Sequence, residues 1–236
     1  MSNRMIRVVL SCGFLGAALA SGGEVMVPDV AAIPGASKVL VALAAEEGGP
    51  ALVVRSVGGE EQSVTRRLPK EGFERFKLAL IAETGKDGAI AGFSCVTWKP
   101  AEKKADAPAR EWPELKDIAG ATARIRGAQV LMLRRLAVPE TAAGKDAKWS
   151  FELISFRRIE PKEEDDAIVR AKKEVIEEGG ARLIEDRRFT LVAPSAPDET
   201  RLYGVLLVPV WKDGRILDGY DAQLVTTPAP VVSREE

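Results

Sequence analysis

Apolar residues in the first third of the chain come in short runs broken by Gly, Pro and acidic residues, a pattern of strands joined by tight turns. Residues 38–44 (KVLVALA) and 51–57 (ALVVRSV) flank Glu46-Glu47-Gly48-Gly49-Pro50 and predict a hairpin, with a third short strand at 62–66. Between Pro69 and Glu83 the period changes. Phe73, Phe76 and Leu80 recur at helical spacing, Pro69 suits a first helical turn and Gly85 a position just past the last, so a first helix is expected there. After a turn at 85–88, residues 89–98 return to the aromatic and β-branched content of a strand.

Residues 99–110 (KPAEKKADAPAR) are too polar and too interrupted to build core, and residues 99–111 mark the one place where two subdomains would part. A short helix is expected at 112–119 and strand at 121–138, with a turn near Gly127. Trp149, Phe151 and Leu153 then alternate cleanly with polar residues, a half-buried strand. A second helix is expected from Pro161 to Gly179-Gly180, with acids in its first turn and Ile168, Ala171, Val175 and Ile176 along one stripe. The last third reads as strands at 181–185, 188–193, 202–211 and 215–226, the final two forming a long hairpin around Lys212-Asp213-Gly214 with Ile216, Tyr220, Ala222 and Leu224 on one side.

Strands outnumbering two main helices that do not alternate with them predict an α+β fold with a mostly antiparallel sheet. Residues 36–227 form the expected single domain, 21–35 an extended surface lead-in, and 228–236 a disordered tail.

The first twenty residues stand apart. MSNRMIR carries two Arg and no acid, a thirteen-residue apolar run follows, and Ala18-Leu19-Ala20 offers small residues at a cleavage site, the order of a secretory signal peptide. The run falls short of the roughly 20 residues that span a bilayer, so cleavage and export to the periplasm or the medium are expected, with no transmembrane span. Val9-Leu10-Ser11-Cys12 loosely resembles a lipobox, but the apolar run continues past Cys12, so a lipid anchor there is not expected. Frequent Ala, Gly, Arg and Val suggest a bacterium with a GC-rich genome.

Composition narrows the chemistry. The 236-residue chain has no His, and its one Asn is Asn3. This excludes Ser-His-Asp and Cys-His nucleophile systems, His-Glu-x-x-His zinc sites and His-ligated haem. Arg4 and Arg7 leave with the signal, and the remaining 32 basic against 35 acidic residues argue against a nucleic-acid partner. The doublets Arg134-Arg135, Arg157-Arg158 and Arg187-Arg188 lie within strand-like runs, where ion pairs and solvated faces account for them.

No phosphate-binding glycine loop follows a strand, no metal site or cofactor is expected, and no catalytic residue can be named. The acids Glu160 and Glu163 to Asp166 sit where a helix dipole favours them. Cys95 is the single mature cysteine, a free thiol sharing a face with Phe93 and expected to be buried and inert. Candidate interaction residues are Trp112, in a polar stretch, and Asp218, Tyr220 and Asp221 beside a glycine-kinked strand. By exclusion the chain is expected to be an exported, non-enzymatic protein acting by protein–protein contact. The alternatives are a carboxylate-dependent envelope hydrolase or a carrier of a small apolar ligand.

Overall fold

A computed structural model describes residues 26–228 apart from 59, 72, 85–89, 101–114, 137–148, 165–170 and 195–200. Its strands are β1 (Met26–Pro34), β2 (Lys38–Glu46), β3 (Gly49–Ser56), β4 (Ser63–Arg67), β5 (Leu78–Thr84), β6 (Ile90–Pro100), β7 (Lys116–Arg126), β8 (Val130–Leu136), β9 (Ser150–Arg158), β10 (Val175–Glu178), β11 (Ala181–Val192), β12 (Arg201–Lys212) and β13 (Ile216–Pro228). A helical segment, α1, covers Pro161–Glu164. Every pairing is antiparallel, in a six-stranded sheet ordered β1-β6-β5-β12-β13-β7 and a seven-stranded sheet ordered β10-β11-β9-β8-β2-β3-β4.

The period of two along each strand decides how the sheets meet. Val39, Val41, Leu52, Val54, Leu131, Leu133, Phe151 and Leu153 from the seven-stranded sheet share one core with Leu78, Leu80, Phe93, Tyr203, Val205, Tyr220 and Leu224 from the other. The architecture is therefore an all-β sandwich. Second, smaller clusters lie on the opposite faces: Leu40, Ala42, Met132, Ile154 and Phe156 on the seven-stranded sheet, and Ala79, Ile81, Val96, Leu202 and Val225 on the six-stranded one.

Among the described residues neither of the two main helices expected from the sequence is found as such; helical residues at the second are confined to 161–164 and 171–172. Over residues 69–83 the helical element is a 3-10 turn at Phe73–Arg75, and Leu78–Thr84 is the inner strand β5. Leu78, Ala79, Leu80, Ile81 and Ala82 are all fully buried because β5 has core on both faces, and a continuously apolar run carries no period that separates strand from helix. Val175 and Ile176, assigned to the second helix, belong to β10, while Ile168 lies outside the described residues. Gly179-Gly180 does not end a helix: both residues have positive φ, 56° and 74°, and they turn the β10–β11 hairpin. Residues 116–119, expected as helix, open strand β7.

The 21–35 segment contributes β1, which pairs with β6 along its whole length from Met26↔Pro100 to Pro34↔Gly92. Residues 1–25, including the expected signal and Cys12, the 101–111 part of the expected break and the tail beyond Pro228 lie outside the described residues. Among the described residues no helix is long and apolar enough to cross a membrane.

Candidate functional site

The feature that shapes the outer surface is the placement of β10. It is an edge strand hydrogen-bonded to β11, yet Ile176 and Glu178 on one of its faces, and Glu174 just before it, reach the far strands of the same sheet. The Lys38 ammonium on β2 donates to Glu174 at 3.5 Å, and Arg134 on β8 lies 3.6 Å from the same carboxylate. Ile176 packs on the Leu40–Phe156 cluster, and Arg55 on β3 pairs with Glu178 and donates to the Glu177 carbonyl at 3.2 Å. The seven-stranded sheet thus curls until one edge lies over its own outer face.

A chain of alternating charges closes one end of this curl. Arg134 Nε donates to Glu152 at 2.5 Å, Arg188 lies 3.6 Å from the other oxygen of Glu152, and Arg188 grips Glu185 with two bonds of 2.5 Å. The Glu174 N–H completes the Glu185 contacts at 3.2 Å. Glu152 and Glu185 are buried, a location in which carboxylates persist only when paired. The hydrogen bonds from Arg188, backed by the Glu174 N–H, hold the Glu185 carboxyl below the usual carboxylate range. Lys38, Arg134 and Arg188 against Glu152, Glu174 and Glu185 balance in charge, so the chain fastens the sheet and leaves no net charge to recruit an ion.

Between β10 and β3 the curl leaves an open cleft of about 400 Å³. Its lining combines apolar Leu40, Val57 and Ile176 with Arg55, Ser56, Gly58, Glu61 and Glu177. The wall carrying Glu61 is a tight loop: Ser56 Oγ donates to the Glu60 carbonyl at 2.8 Å and accepts from the Gln62 N–H at 3.0 Å, while the Ser56 N–H donates to the Gln62 carbonyl at 2.8 Å. No family model, curated protein or solved structure matches the chain. The cleft therefore has to be interpreted from its own residues.

None of the described candidates named from sequence lines this cleft. Trp112 is outside the described residues. Gly219 does kink β13, with φ 139° and a bulge opposite Val210 and Trp211. Around it Tyr220 is fully buried in the core, its hydroxyl donating to the Gln129 carbonyl at 3.4 Å and its acidity lowered by burial. Asp221 is half exposed and accepts from Arg126 at 2.7 Å, and Asp218 uses its backbone carbonyl to accept from the Gly127 N–H at 2.5 Å. The three are neighbours in the chain and are split between core and surface.

Cys95 is fully buried beside Phe93, and burial pushes its thiol up to about 11 against the opposing pull of Arg66. Glu163 accepts two hydrogen bonds from Arg157 at 2.6 and 2.7 Å and one from the Glu160 N–H at 3.2 Å, which pull its carboxyl down to about 2; Asp165 and Asp166 are outside the described residues.

Of the arginine doublets, Arg134, Arg157 and Arg188 are in ion pairs, and Arg135 lies 3.6 Å from the ring centre of buried Trp149. Sequence reasoning missed the cleft because it is assembled from β2, β3 and β10, far apart in the chain. The local signal was present in the acidic pair Glu60-Glu61 between two strand-like runs and in Gly179-Gly180 as a turn sequence.

Proposed function

We propose that this is an exported, non-enzymatic protein of the cell envelope or the extracellular space that acts by protein–protein contact through the outer face of its seven-stranded sheet. The observation that carries the reading is the open cleft between β3 and β10, where half-buried Val57 and Ile176 sit inside a rim of charged side chains. An apolar centre with a polar rim, held by a rigid sheet and a hydrogen-bonded loop, is the anatomy of a contact surface that needs little ordering on binding. The N-terminal order of basic residues, apolar run and small residues supports the export half of the proposal.

The test is to place a photoreactive residue at Val57 in the full chain, cross-link in the native cells and map the linked peptides. A defined protein joined at Val57 supports the reading; a chain recovered only as an uncross-linked monomer from every surface position tried overturns it. One observation favours a second reading: Glu61 and Glu177 line the same cleft, as a carboxylate-dependent hydrolase would require. Both are exposed to solvent. Hydrolysis of glycoside substrates that is lost in Glu61→Gln and Glu177→Gln would replace the contact reading with the enzymatic one.

A further inference from the structure

Two different forces hold β10 in place. Backbone bonds tie it to β11 through a ladder of four residues, Val175–Glu178, and just before it the Glu174 carbonyl accepts from the Glu185 N–H at 2.8 Å. Side-chain charges tie it across the outer face to strands that are not its neighbours: Glu174 to Lys38 on β2 and Arg134 on β8, and Glu178 to Arg55 on β3. The side chains of these pairs keep between 18% and 31% of their surface exposed, so dissolved ions reach them. The apolar contact that β10 adds on this face comes from Ile176, which is half-buried, and the open cleft lies between it and β3.

We propose that β10 is an ionic latch: at low salt these pairs hold it over the outer face, and screening them lets it swing outward about its ladder with β11 and uncover Leu40. The motion breaks the three ion pairs, the bond from Arg55 to the Glu177 carbonyl and the Ile176 contact, and it leaves the β10–β11 ladder intact. Partly exposed ion pairs are individually weak and weaken further with salt, so a change in ionic strength is enough to shift the balance. The latch concerns the same cleft as the protein-contact reading and does not depend on it.

The experiment places spin labels on the purified full chain through Glu61→Cys and Glu177→Cys, both exposed positions, with Cys95 buried away from the reagent. Pulsed electron resonance then measures the distance across the cleft. The expected result is one short distance at low salt and a second, longer one at about 1 M salt, the ratio of long to short rising at least about tenfold while far-UV circular dichroism stays constant. Glu178→Arg sets a like charge against Arg55 and should show the long distance already at low salt, and the exchanged pair Arg55→Glu/Glu178→Arg should restore the short one.

The salt titration needs no charge variant, so the test survives a Glu178→Arg chain that fails to fold. A distance indifferent to salt, a folded Glu178→Arg chain that keeps the short distance, an exchanged pair that stays open, or a lengthening that coincides with loss of the circular-dichroism signal overturns the latch.

Discussion

Gly219 shows how much one residue can determine. Its φ of 139° lies where side chains rarely go, and a Cβ there would meet the Ile125 carbonyl oxygen at 2.0 Å, backbone against backbone. Gly219→Ala is expected to cost at least about 2 kcal/mol, read as a lower urea midpoint with an unchanged slope. The kink also explains a misplaced side chain. By strict alternation Ile216 shares a face with Tyr220, but the bulge shifts the register, so that Leu217 is buried with Tyr220 and Ile216 is exposed. Sequence showed that a glycine bends this strand; it could not show that the bend exchanges faces.

Cys95 supports a second prediction. Because burial raises the thiol, stability from keeping it protonated is complete below about pH 9 and is lost as pH rises toward about 11. A thiol reagent at pH 8 should leave Cys95 unmodified until denaturant is added, and fast labelling of the folded chain would refute its placement.

At the scale of elements, the hairpins were legible and the helices were not. β2–β3 and β12–β13 announce themselves through apolar runs around Gly-containing turns, because their pairing is local. β5 and β10 owe their conformation to distant neighbours: β5 lies between β6 and β12, and β10 leans on Lys38, Arg134 and Arg55. No window of local sequence contains those partners, so Phe73, Phe76 and Leu80 or Val175 and Ile176 could satisfy a helical period by coincidence.

The charges that fasten β10 and α1 carry a pH dependence. Arg188 holds Glu185 low and Arg157 holds Glu163 low, so their contribution is present at neutral pH and lost as pH falls from about 4.5, for Glu163 through about 2. Urea unfolding at pH 7 and pH 3 should show reduced stability in acid, and Glu185→Gln should narrow the difference between the two.

For the molecule as a whole, both sheets join distant parts of the chain. Leu78–Thr84 waits for its second neighbour until Arg201–Lys212, and Ile216–Pro228 is needed to bring β7 into the same sheet. A chain ending at residue 200 lacks two central strands of the six-stranded sheet, and is expected to give no cooperative unfolding transition by circular dichroism or fluorescence. A truncated chain that melts sharply would show that the seven-stranded sheet folds alone. The same wiring orders events during synthesis. The ribosome has released everything up to residue 200 before the strands that complete the six-stranded sheet are available, so the sandwich closes late. A polypeptide that cannot lock before residues 201–228 emerge remains threadable, and for a chain proposed to be exported that delay keeps it able to pass through a narrow secretion channel and to fold on the far side.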